Sequence, residues 1–76
     1  MVEKVTIKLT KDEALVIFDF LGRFNENSTE KDFEHRADQI ALWNLEVVLE
    51  SVLAEPFLPN YEDLIKEARE KMLGGK

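Results

Sequence analysis

The chain has 76 residues, of which 45% are apolar and 34% charged, and its formal net charge is −6. A chain this short forms one domain, residues 1–76, and buries only about 60% of its unfolded surface, so a second copy would enlarge its core. It has no cysteine, which excludes disulfides, thiolate metal sites and cysteine nucleophiles. We see no secretory leader and no apolar run near the roughly 18 residues of a membrane span, so we expect a cytoplasmic protein without a membrane partner.

The acidic charge is concentrated in the middle of the chain. Residues 24–65 contain ten acidic and two basic residues, a net charge of −8. This charge argues against a nucleic-acid partner, because such affinity depends mainly on Lys and Arg at the phosphates. It favours a basic protein partner, although the same charge could simply keep a small protein in solution.

The N-terminal residues have the pattern of a β-strand. Val5, Ile7 and Leu9 alternate with polar residues, which predicts a strand beginning at Val2 with one buried face. Thr10 and Glu13 then have the spacing of a capping box, which predicts that a helix begins at Lys11.

Three helices are predicted after this strand. The first runs from Lys11 to Phe24 or Asn25, the second from Glu30 to Ala54, and the third from Tyr61 to Leu73, where Gly74 and Gly75 end it. The loop between the first two offers Ser28 or Thr29 as a cap, and Asn60 precedes the third helix as its cap. The main apolar side of the second helix consists of Phe33, Ala37, Ile40, Ala41, Leu45, Val48 and Val52, and Leu42, Leu49 and Leu53 continue it around the helix.

A lone strand needs a partner for its backbone hydrogen bonds. Pro56 and Pro59 predict that residues 55–59 are extended, so residues 56–58 could pair with the strand in a two-stranded sheet. The other solution is that the strand pairs with its copy in a dimer. We therefore predict a mainly α fold with an N-terminal strand and three helices. A homodimer is expected, because the first two helices have more apolar surface than so short a chain can cover.

The sequence offers few groups for catalysis. His35 is the only histidine, and Asp32 precedes it by one turn, which resembles half of the carboxylate-x-x-His pattern of di-metal helical bundles. That architecture requires a second motif, which this chain lacks. No nucleophile motif or phosphate-binding loop occurs, so we predict no catalytic residues, no metal site, no cofactor and no enzyme activity.

Two residues of the second helix break its pattern. Trp43 lies in the polar strip, either covered by a neighbouring helix or exposed as an anchor for a partner. Asn44 lies among apolar residues, where a buried amide would need partners and could fix the register or the oligomeric state. We therefore predict a protein-binding surface made of Trp43, Arg36, Glu46, Glu50 and Glu55.

The runs "KLTKDEA", "LWNL" and "EPFLPNY" resemble those of a group of short bacterial proteins, over nearly the whole chain. The resemblance implies a bacterial, cytoplasmic, freestanding protein and gives no binding residues. The function we predict is a small acidic protein-interaction module, with an immunity or antitoxin-like protein as its specific version. The alternative is a helical bundle that binds a small molecule or a metal near Asn44 or His35.

Overall fold

A computed structural model describes residues 3–74 of the chain. Its three helices are α1 (Lys11–Asn27), α2 (Arg36–Val52) and α3 (Tyr61–Met72), and 3₁₀ turns at Glu30–Asp32 and Glu55–Phe57 lie between them. The prediction of a mainly helical fold is confirmed. None of the helices in this part of the chain is long and apolar enough to cross a membrane.

The start of α1 is fixed by the predicted capping box. The Thr10 hydroxyl accepts a hydrogen bond from the Glu13 N–H at 3.1 Å, and the Glu13 carboxylate accepts one from the Thr10 N–H at 2.9 Å. Two of the unpaired donors at the start of the helix are thereby satisfied. The helix continues to Asn27, past its predicted end at Phe24 or Asn25.

The start of α2 differs from the prediction, because the chain turns before it. Thr29 and Asp32 form a second capping box around a separate 3₁₀ turn, and Phe33 is extended, with φ −126° and ψ 141°. The Phe33 ring meets the Phe24 ring edge-on, with centroids 5.7 Å apart. His35 then caps α2, with its Nδ1 accepting a hydrogen bond from the Ala37 N–H at 3.0 Å.

The predicted strand is wrong for the residues that the structure describes. Residues 3–10 have no regular secondary structure, and Val2 lies outside the described residues. The predicted sheet with residues 56–58 is also absent, because Glu55–Phe57 is a 3₁₀ turn with a proline in its first positions. The N–H groups of Phe57 and Leu58 donate to the carbonyls of Ala54 and Glu55, at 3.1 Å and 3.0 Å. Those donors are therefore not available to a strand.

The third helix ends close to its predicted position. It runs to Met72, and Gly74 follows with a φ of 82°, a left-handed conformation that glycine adopts without strain. Gly75, which was also predicted to end the helix, lies outside the described residues.

The core lies around α1, since both α2 and α3 pack against this helix. Its buried residues come from α1, the end of α2 and one side of α3: Ala14, Leu15, Leu21, Leu49, Leu53, Ile65 and Ala68. The wide apolar surface of α1 therefore contacts two helices.

Candidate functional site: an exposed apolar surface on α2

Only a narrow part of the apolar surface of α2 packs against the core. Leu49 and Leu53 are buried and Leu42 packs against the same core, while Val48, the neighbour of Leu49, is 57% exposed. On a 100° helical wheel the three leucines lie within one narrow sector. Most of the main apolar side indicated by the sequence is therefore exposed.

We call this side the outer face of α2. Its large apolar side chains are all exposed, and they are Ile40, Trp43, Leu45, Val47, Val48 and Val52. The sequence pattern did not assign Val47 to an apolar side of the helix. Val47 is nevertheless apolar, and its spacing from Ile40 places the two residues on the same side. Side chains of this kind rarely form a continuous exposed surface unless something binds there.

The exposed area of the whole chain is large for its mass. The surface measures 6378 Å², and the radius of gyration is 14.0 Å. A folded monomer of 8.8 kDa is expected to expose about 4,800 Å², and a compact domain of this length has a radius of gyration of about 11 Å. The excess is about 1,600 Å², and both the exposed segment of residues 3–10 and the outer face of α2 contribute to it.

The predicted protein-binding residues are distributed along one border of the outer face. Trp43 is 41% exposed, so it is not fully covered by a neighbouring helix, and Arg36 and Glu50 are exposed beside it. Within residues 3–74, Glu50 takes part in none of the ion pairs or side-chain hydrogen bonds. An apolar centre with a charged border is the usual composition of a protein interface.

The other two acidic residues of the predicted surface have partners inside the chain. Glu46 accepts a hydrogen bond from the Asn25 amide at 2.8 Å. Glu55 pairs with the Lys11 ammonium at 3.0 Å, and this hydrogen bond is the main cause that lowers the pKa of the Glu55 carboxyl. These two carboxylates hold α1 against α2 and its following turn.

Asn44 is exposed near the middle of the outer face. On the wheel it lies between Ile40 and Val48, so a molecule covering this face would also cover the amide. The prediction that Asn44 is a buried specificity residue therefore depends on a partner.

A charged cluster lies between α1 and α3. The Asp19 carboxylate contacts the Arg69 guanidinium at 2.8 Å and the Arg23 guanidinium at 3.1 Å, and it accepts a hydrogen bond from the Tyr61 hydroxyl at 3.3 Å. Burial is the main cause that raises the pKa of Tyr61 to about 12, and the adjacent Asp19 charge adds to it. Sequence reasoning missed this cluster, although Asp19 and Arg23 have the i, i+4 spacing of a helical ion pair.

This cluster borders a shallow cavity of about 640 Å³, which Ile65 and Lys66 also line. A second cavity, of about 350 Å³, lies at the start of α2 and is lined by Phe33, His35 and Gln39 among others. Asn44 lines neither cavity. In residues 3–74 no group of three or more His, Asp or Glu side chains is placed to hold a metal ion.

Comparison of the chain with protein-family models, with curated proteins and with solved structures finds no match. What can be said of its function therefore depends on its own residues and their geometry.

Proposed function

We propose that this protein is a protein-interaction module and that its binding surface is the outer face of α2. One observation carries the proposal: α2 buries Leu49 and leaves Val47, Val48 and Val52 exposed, at 62%, 57% and 69%. Each buried valine stabilises an interface by roughly 1.5–3 kcal/mol relative to exposure. A partner covering this face would gain that stabilisation from a surface that is already formed.

The charged border supports a more specific proposal, an acidic module that masks a basic protein in the manner of an immunity protein or antitoxin. Glu50 is the residue that tests it, because Glu46 and Glu55 also hold the fold together through Asn25 and Lys11. Rim charges act mainly on the association rate and its salt dependence. Once a basic partner is identified, Glu50→Lys should lower the association rate and weaken the dependence of that rate on salt concentration. An unchanged rate would show that the acidic surface does not take part in binding.

Site-specific photo-cross-linking tests the module itself. A photoreactive phenylalanine analogue is introduced at Val47 on the outer face, and in a matched variant at Lys66, which is exposed on α3. Both positions are exposed helical sites, so neither variant should disturb the fold. We expect covalent products in the native host from the Val47 position and at least tenfold less product from Lys66.

The products also identify what is bound. A product of twice the chain mass indicates a second copy, and other masses indicate a different protein. Equal yields from Val47 and Lys66, or no product from Val47, contradict the proposal that the outer face is the binding surface.

A further inference from the structure

The N-terminal segment, residues 3–10, is the second exposed apolar surface of the molecule. Val5 and Ile7 are 89% and 67% exposed, and Leu9 is exposed as well. Within residues 3–74, no backbone N–H or C=O of residues 3–9 takes part in the hydrogen bonds that the structure describes. The segment therefore combines unpaired backbone groups with an alternating apolar face, as an unpaired edge strand does.

Within residues 3–74 no strand of the same chain pairs with it. The sequence candidate, residues 56–58, overlaps a 3₁₀ turn whose N–H groups already donate to carbonyls within the turn. The remainder of the described chain is mainly helical, and helices leave few backbone groups free. A partner strand must therefore come from another molecule.

We infer that the partner is a second copy of this chain and that the two N-terminal segments form an antiparallel ribbon across a two-fold axis. The inference deepens the proposed function, on which it rests, by naming the partner of the exposed surface. A second copy would bring an identical alternating apolar segment, and the exposed area of the chain, 6378 Å² against about 4,800 Å² for a compact monomer of this mass, leaves room for such an interface.

The alternation of the segment fixes the register of the ribbon. Residues opposite each other in an antiparallel pair lie on the same side of the sheet. Because every second residue of the segment is apolar, apolar residues lie opposite apolar ones only if one residue lies opposite its own copy, at the two-fold axis. An axis at Ile7 places Val5 opposite Leu9 of the second copy and Ile7 opposite its own copy. An axis at Thr6 would place Leu9 opposite Glu3, so the axis at Ile7 pairs all three apolar residues.

The ribbon would have one apolar side to cover, and the outer face of α2 is an exposed apolar surface of the same chain. The segment enters α1 at Lys11, whose ammonium contacts Glu55, three residues after the end of α2 at Val52. Seven residues of strand extend about 23 Å, and the 17 residues of α2 extend about 25 Å. The apolar side of the ribbon and the outer face of α2 therefore match in length as well as in character.

Cysteine scanning of the segment tests the register without interference, because the chain has no cysteine of its own. Single cysteines are placed at Lys4, Val5, Thr6, Ile7 and Lys8, with Lys66→Cys on α3 as the control, and each protein is oxidised at fixed concentration. Only the residue on the axis meets its own copy within the Cα distance that a disulfide spans, since one position away the separation is already about 8 Å. A maximum of the interchain disulfide at position 7 supports the ribbon, and a flat profile or a maximum elsewhere overturns it.

Two matched variants test whether the segment holds the dimer together. Ile7→Gln should raise the dimer dissociation constant at least a hundredfold, because each dimer loses two buried isoleucines, whereas Lys8→Gln should change it less than threefold. Both residues are exposed in the single chain, so circular dichroism should show unchanged helix content. Equal effects of the two variants, or a wild-type protein that light scattering finds monomeric at millimolar concentration, overturn the inference. A monomer that still cross-links to a different protein from Val47 would leave the proposed function standing.

Discussion

Val48 and Leu49 are neighbours on α2 whose side chains point about 100° apart around the helix, at 57% and 5% exposed, and they should respond differently to substitution. Leu49→Ala removes a buried side chain from the contact of α2 with α1 and should cost about 2–5 kcal/mol. At about 160 cal/mol/K of unfolding entropy for this length, each kcal/mol lowers Tm by about 6 °C. We expect a loss of at least 12 °C, which is severe for so small a domain.

Val48→Glu should behave differently because it changes an exposed position. In the single chain it should alter the free energy of unfolding by no more than about 0.5 kcal/mol. In the proposed dimer it would bury a carboxylate, so it should abolish association. Because association raises the stability of the folded chain with concentration, the wild-type Tm should rise with protein concentration and that of Val48→Glu should not.

The assay is thermal unfolding followed by circular dichroism at two concentrations a hundredfold apart. Leu49→Ala should lower Tm at both concentrations, whereas Val48→Glu should match the wild type at the lower concentration and fall below it at the higher one. The reasoning is refuted if the two variants lose equal stability at the lower concentration, because the outer face would then be part of the core of the single chain.

Three further predictions concern polar contacts. Thr10→Ala should lower the free energy of unfolding in urea by about 1 kcal/mol, because it removes the cap of α1. Thr10→Ser keeps the hydroxyl and should retain most of that stability, so equal losses in the two variants would contradict the capping role. The pKa of Glu55 is lowered from 4.5 mainly by Lys11, so this pair stabilises the fold above pH 4.5 and is lost as pH falls through the lowered pKa. Lys11→Met should therefore reduce the loss of stability below pH 4.5, and an unchanged acid transition would count against it. The pKa of Tyr61 is raised from 10.0 to about 12, so the contribution of Tyr61 to the stability of the fold is complete below pH 10 and is lost as pH rises towards 12. Asp19→Asn should lower the midpoint of the tyrosinate absorbance titration towards 10. An unchanged midpoint would leave burial as the only cause of the raised pKa.

Local signals in the sequence predicted the helices well where a single side chain decides the boundary. Thr10 and Glu13 fixed the start of α1, because a capping box satisfies its donors through residues three positions apart. The start of α2 was missed because its cap is His35, which is not a typical capping residue, and because Phe33 turns the chain to reach Phe24. The second cause is a tertiary contact, which the hydrophobic periodicity of a sequence does not predict.

The turn at residues 55–57 shows a different limit. Proline disfavours the helical conformation in the residue before it, which suggested an extended run. A proline is also well suited to the first positions of a helical turn, where its missing N–H has no partner to lose, and Pro56 occupies such a position. The sequence contained both possibilities, and the choice between them depended on whether a strand was present to pair with.

The sequence indicated which residues form the site but not which of them face the core. The wide apolar surface of α2 was recognised, but hydrophobic periodicity cannot tell which part of such a surface meets the chain's own core. Leu42, Leu49 and Leu53 make that contact, so the part with more apolar residues remains exposed. Trp43 is 41% exposed, so its side chain is partly covered and partly open to solvent.

The position of Glu46 contributes to holding α2 in this rotation. Turning the valines towards α1 would bury them but would also expose Leu42, Leu49 and Leu53, so the burial of apolar area does not by itself favour that change. Glu46 lies near α1, half-buried, and accepts a hydrogen bond from Asn25. Rotating the valines inward would break that bond and leave the amide and the carboxylate to find other partners, at a cost of about 1–3 kcal/mol for each group left buried and unpaired. Asn25→Leu would remove one half of this restraint, so this variant should weaken the preference for the observed rotation and lower the yield of photo-cross-links from Val47. An unchanged yield would show that the leucine edge alone orients the helix.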